Sequence, residues 1–110
     1  MDAETYCRDG EVSEGALNRT AEAALFRALG DERRLRILDA VAGSPGVCAC
    51  KLLEMFDMSQ STLSHHMKLL CEAGLVACSR KGKWANYTLR AEGLEPVERY
   101  VEGMLGAVEE

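Results

Sequence analysis

Aromatic residues make up only 5% of this chain and proline occurs twice. Strands favour aromatic and β-branched side chains, so this composition argues for helix over a β-sandwich or barrel. Nowhere does an apolar run approach the roughly 20 residues that span a bilayer, and no membrane partner is expected. A basic N-terminus is missing too: Met1-Asp2-Ala3-Glu4 is acidic where a signal peptide is positive, which points to a cytoplasmic protein. In that reducing compartment five cysteines are thiols rather than a disulfide framework.

What is present fits one soluble domain with its own core, at 110 residues, 47% hydrophobic and 28% charged. Catalysis is not expected. The chain is too short for most self-contained enzymes, and His65 and His66 have no nucleophile or paired carboxylate arranged with them.

The net charge of -5 at first opposes nucleic-acid binding. Resolved by segment, it does not. Residues 1–14 set Arg8 against Asp2, Glu4, Asp9, Glu11 and Glu14, and residues 91–110 set Arg99 against six glutamates. Residues 15–57 cancel. Residues 58–90 carry Lys68, Arg80, Lys81, Lys83 and Arg90 against Glu72 alone, a net of +4 on a helix and a hairpin. That is the footprint of a nucleic-acid surface.

Residues 1–15 have no periodicity and read as a flexible acidic tail that contains Cys7; residues 16–110 form the domain. A first helix runs from Thr20 to Leu29 and stops at Gly30, a suitable C′ residue. Asp31 caps a second, with Leu35, Leu38, Val41 and Ala42 at helical spacing, broken by Gly43-Ser44-Pro45-Gly46. A short third helix follows through Leu52, Leu53 and Phe56, with Cys48 and Cys50 in its first turn. Ser59 caps a fourth, Gln60 to Ala73, ended by Gly74. Alternating segments around Lys81-Gly82-Lys83 predict a hairpin, and Pro96 fits the first turn of a last helix.

The fold expected is therefore mainly α with a small β-hairpin wing: a dimeric winged helix-turn-helix of about five helices. In that plan the fourth helix enters the major groove of double-stranded operator DNA and the hairpin tip straddles the backbone. Gln60, Ser61, Ser64 and His65 suit base edges, Lys68 suits a phosphate, Arg80, Lys81 and Lys83 form a cationic tip, and the cap Ser59 belongs to the same DNA-binding set. His66 falls on the buried stripe between Leu63 and Leu70 and reads as a hydrogen-bonded core histidine. Trp84 either packs beneath the wing or lies against DNA.

The last helix repeats Val97, Tyr100, Val101, Met104, Leu105 and Val108 at helical spacing, a stripe wider than a chain of this size readily covers. Pairing with a second copy, together with Leu25 of the first helix, is its expected use. A twofold dimer would read a palindrome with half-sites roughly 34 Å apart.

The residues that carry these features, Leu29-Gly30-Asp31-Glu32-Arg33-Arg34-Leu35-Arg36-Ile37-Leu38, Ser59 to Leu70, Ala73-Gly74-Leu75-Val76 and Arg80-Lys81-Gly82-Lys83-Trp84, together resemble the ArsR/SmtB family of metal- and metalloid-responsive repressors. The resemblance covers about residues 20 to 108 and implies a dimer that leaves its operator when an inducer binds. Val47-Cys48-Ala49-Cys50 further resembles the arsenic-sensing and cadmium/lead-sensing branches, which carry such a pair at the third helix.

Thiolates at a helix N-terminus gain from unpaired N–H groups, and soft thiolates select arsenite or related trivalent arsenicals, antimonite, cadmium or lead over hard ions. Side chains at i and i+2 of a regular helix point about 200° apart, so one ion held by both is expected to unwind the first turn. The sequence departs from the arsenic-sensing pattern in one respect: the third family ligand falls on Leu53. Cys7 is a candidate replacement, as in the cadmium/lead branch, or two thiols suffice for an organoarsenical. Cys71 and Cys78 read as small core residues. With no histidine or aspartate in residues 91–110, the zinc site of some relatives has no basis.

Two other readings stay open. In one, the repressor is a redox switch that joins Cys7 to Cys48 or Cys50, a disulfide within the CxC pair being strained. In the other, the chain buffers metal without an operator, which the positive stretch speaks against.

Overall fold

A computed structural model describes residues 18–108. Five helices surround a three-stranded antiparallel sheet: α1 Thr20–Leu29, α2 Glu32–Gly43, β1 Val47–Cys48, α3 Ala49–Met55, α4 Gln60–Glu72, β2 Val76–Lys81, β3 Trp84–Leu89 and α5 Ala91–Val108. This is the winged helix-turn-helix expected from the order of elements, enlarged by one strand.

Local chemistry sets most boundaries. The Asp31 carboxylate accepts the backbone N–H groups of Arg33 and Arg34 at 2.8 and 3.2 Å, satisfying two donors that α2 cannot use internally. Those bonds, Arg34's first, hold the Asp31 carboxyl below its ordinary pKa. Ser59 Oγ accepts the N–H of Thr62 at 3.1 Å and starts α4. At the other end of α4, Gly74 has φ +81°, Leu75 N–H reaches the Leu70 carbonyl and Gly74 N–H reaches Cys71. This left-handed stop turns the chain straight into β2. Gly30 ends α1 without it, at φ -84°.

β2 and β3 pair from Val76↔Leu89 to Lys81↔Trp84, which leaves Gly82 and Lys83 as a two-residue turn with Gly82 at φ +64°. The third strand, β1, pairs with the other edge of β3 through Val47↔Tyr87 and Cys48↔Asn86. The core lies between this sheet and the helices, with Ile37, Val41, Leu52, Leu70, Leu75 and Val76 fully enclosed.

Pro96 does not begin the last helix, as its N1 preference suggests; α5 starts five residues earlier and encloses it. The cause is tertiary. Arg90 N–H bonds to the Leu75 carbonyl at 2.9 Å, Gly93 N–H to Arg90 at 3.2 Å, and buried Gly93 lies directly on the Gly74–Leu75 backbone. That close approach fixes a helical turn ahead of the proline.

Candidate nucleic-acid interface and thiol pair

Helix α4 divides its residues cleanly. Leu63, His66, Met67 and Leu70 are buried, whereas Gln60, Ser61, Ser64, His65 and Lys68 are exposed along one face beyond the exposed cap Ser59. The Ser59 hydroxyl is already engaged: besides the cap it lies 3.1 Å from Ser61 Oγ and 3.0 Å from Thr62 Oγ1.

Arg80, Lys81 and Lys83 are exposed on the wing. Arg80 Nη1 donates to the Lys83 carbonyl at 3.3 Å, which braces the turn. Trp84 is not tucked beneath the wing; it is 43% exposed, with Lys83 Nζ 5.6 Å from its ring centre. The wing and α4 border one small cleft of about 120 Å³, lined by Gln60 and Ser64 on one side and Arg80, Lys83 and Trp84 on the other. Ala49, between the two CxC cysteines, lines the same cleft.

Cys48 and Cys50 sit differently from the sequence expectation. Cys48 is the extended N-cap of α3, at φ -77° and ψ 144°, and also the last residue of β1. Its sulfur accepts the Cys50 N–H at 3.2 Å. Because Cys48 lies outside the helix, its side chain is not bound to the helical 200° separation, and the two sulfurs are in bonding contact with Cα atoms 5.2 Å apart. No unwinding is required to bring them together. The redox partner expected for them, Cys7, lies outside the described residues.

Leu53, at the position of the family's third thiol, packs partly buried against the core. Cys7 lies outside the described residues, and among those no group of three or more His, Cys, Asp or Glu is placed to hold a metal. Cys71 packs against the core as expected, and burial pushes its thiol pKa up. Cys78 faces the same side of the sheet as Val76 and opposes Tyr87, but on the edge strand β2 it is exposed, not core.

The stripe on α5 is partly used within the chain. Val97 packs against the core and Tyr100 meets Phe26 edge-on at 5.7 Å, with Arg19 over its ring. Val101, Met104, Leu105 and Val108 remain exposed. Leu25 is buried inside the chain, while its neighbour Phe26, and Leu94 on α5, are exposed. Phe26 is one position beyond Leu25, and Leu94 continues the α5 stripe three residues before Val97 but lies ahead of Pro96, where the helix was expected to begin. No helix among the described residues is long and apolar enough to cross a membrane.

A family model described as "Bacterial regulatory protein, arsR family" matches residues 31–77. The arsenical resistance operon repressor of Staphylococcus xylosus is 40% identical over 78 residues, 71% of this chain and 74% of that protein. The repressor of the same name from Bacillus subtilis is 40% identical over 67 residues, 61% of this chain and 64% of its own length, so the chain spans a little under two thirds of that relative. Among solved structures, an ArsR family transcriptional regulator superposes with a TM-score of 0.77 at 20% identity, covering 84% of this chain and 94% of its own. A homodimeric winged helix-turn-helix domain from Mycobacterium bovis gives 0.63 at 23% identity, covering 96% and 87%.

Proposed function

Because the chain belongs to the arsR family of bacterial regulatory proteins, which are DNA-binding transcriptional regulators and not enzymes, we propose that it is a repressor released from its operator by a thiophilic metalloid. It binds a palindromic double-stranded operator as a cytoplasmic homodimer, with residues 16–110 as the working domain. Gln60, Ser61, Ser64 and His65 meet base edges, Lys68 and the wing cations meet phosphates, and the exposed α1/α5 stripe joins two copies. The inducer is arsenite, a related trivalent arsenical or antimonite, taken by Cys48 and Cys50.

The observation that carries this reading is the position of the thiol pair. Cys48 is hydrogen-bonded through β1 to β3, the strand that continues into the wing, and caps α3, whose Ala49 and Leu53 line the cleft shared by α4 and the wing. An ion held by both sulfurs shifts β1 against β3 and alters the cleft shared by α4 and the wing. Two discrete arrangements of that junction, one compatible with DNA, are enough for release.

The test is operator release by the phosphine-reduced protein, measured against arsenite, methylarsenite, antimonite, cadmium, lead, zinc and peroxide. Wild type is expected to leave DNA with trivalent arsenicals and antimonite, and Cys48→Ser and Cys50→Ser to stay bound. Release of both variants by arsenite would overturn the assignment, and release by cadmium and lead alone would move it to that branch. A Cys7→Ser protein that also stays bound would make Cys7 the third ligand. The bonding contact between the Cys48 and Cys50 sulfurs favours one second reading, a redox switch within the pair; release by peroxide but by no metalloid would select it.

A further inference from the structure

His66 is the one buried polar side chain among the described residues, and it sits on the hidden side of the reading helix, next to exposed His65. Its partner comes from another element. Arg34, on the first turn of α2, aims its guanidinium three ways: Nε donates to the Ala28 carbonyl at 2.6 Å, Nη2 to the Arg27 carbonyl at 3.0 Å, and Nη1 to His66 Nδ1 at 3.3 Å. Guanidinium nitrogens only donate, so Nδ1 accepts and the imidazole is neutral with its proton on Nε2. One side chain therefore ties the last carbonyls of α1 to the middle of α4. The backbone of Arg34 is itself pinned by the Asp31 cap.

We propose that Arg34 is a positioning residue that sets the rotation of α4 through neutral His66, and that a proton on His66 undoes the tie and weakens operator binding. The inference rests on α4 being the element that reads DNA. With Nδ1 protonated there is no acceptor, and an imidazolium faces a guanidinium at hydrogen-bond range. The charged groups around the ring are Asp31, Arg33 and Arg34 from the start of α2 and His65 from α4 itself; α1 presents carbonyls. Burial holds the His66 pKa below its ordinary value of 6.5; Asp31 opposes this, and Arg34, His65 and Arg33 reinforce it. Binding is thus intact at neutral pH and declines only as the pH falls through that lowered midpoint. His65 lies exposed on the opposite, DNA-facing side of α4, so a His65 substitution separates that face from the buried ring.

The experiment is operator affinity against pH for wild type, Arg34→Gln, His66→Gln and His65→Asn, with the His66 ring proton followed by NMR in the protein without DNA. Below the His66 midpoint, which lies under 6.5, the wild-type affinity is expected to fall by up to about tenfold per further pH unit for each His66 protonated. His66→Gln, which keeps an acceptor for Arg34 but does not titrate, is expected to bind as wild type at neutral pH with a flat profile; His65→Asn is expected to keep the fall. Arg34→Gln is expected to bind about three- to tenfold more weakly at neutral pH, within the range of indirect coupling effects. It should also raise the His66 titration midpoint, a reading that needs no DNA. An unchanged midpoint in Arg34→Gln, or an acid loss that survives in His66→Gln, would overturn the proposal while leaving the operator reading standing. A wild-type protein that binds no palindrome at neutral pH would overturn both.

Discussion

The α4–wing face and the α1/α5 face are both exposed, yet they are exposed in opposite chemistries. The first presents hydroxyls, an amide, an imidazole and cations over a fully closed core; the second leaves Met104, Leu105 and Val108 at 51%, 56% and 81% exposure. Water satisfies the first face well and the second poorly. A surface of the first kind waits for a hydrated, charged partner and holds its affinity in electrostatics; one of the second kind gains by excluding water. The two faces are welded where Gly93 rests on Gly74, so pairing copies through one orients the other.

The sharpest way to break that comparison is to put charge on the apolar side. Met104→Glu with Leu105→Glu is expected to give a folded monomer by sedimentation. Its operator affinity is expected to drop about a hundredfold or more, because a second half-site no longer binds intramolecularly. Tight palindrome binding by a monomeric double variant would show that the two faces work independently.

Next in size is the weld. A Cβ at Gly93 runs into the Gly74 carbonyl, and backbone cannot step aside as a flexible side chain would. Gly93→Ala is therefore expected to cost about 1–3 kcal/mol in denaturant unfolding, the usual range for forced overpacking. Gly103→Ala, with open space around it, is the matched control.

The wing cations come third. Each lost phosphate contact reduces the slope of log affinity against log salt by roughly 0.9, doubled in a twofold dimer. Lys81→Ala and Lys83→Ala are expected to weaken all DNA sequences alike and to flatten the salt dependence, whereas Gln60→Ala and Ser64→Ala should relax the choice of bases. Base selectivity lost on a wing substitution would reverse the roles given to α4 and the hairpin.

The parts of this molecule that were readable in the sequence are those whose cause is local. Asp31 and Ser59 cap within three residues, Gly74 is the left-handed stop, and Lys81-Gly82-Lys83 contains its own turn. The exposed and buried sides of α4 follow from a spacing of three and four. What was hidden depends on partners far along the chain. β1 is two residues long and exists because β3, some forty residues later, offers an edge. That pairing makes Cys48 extended, and so turns an expected helical pair of diverging thiols into a converging one. The start of α5 depends on the fit of one glycine on another, and the Arg34–His66 tie joins positions 32 apart with no periodicity to announce it.

The smallest predicted effect separates the two kinds of work that one exposed residue does on the reading face. Ser59 caps α4 and also stands where the helix would meet DNA. Ser59→Ala removes the acceptor for the Thr62 N–H and is expected to cost about 1 kcal/mol, lowering the melting temperature by roughly 4 °C. Ser59→Asp restores an acceptor at the helix N-terminus, where a negative charge is favoured, so its stability is expected to match wild type. That same carboxylate faces the phosphates, and operator binding is expected to fall with a steeper penalty at low salt. If Ser59→Asp is both stable and a normal binder, the N-terminal end of α4 does not approach the backbone, and the groove contact begins further along the helix at Ser64 and His65.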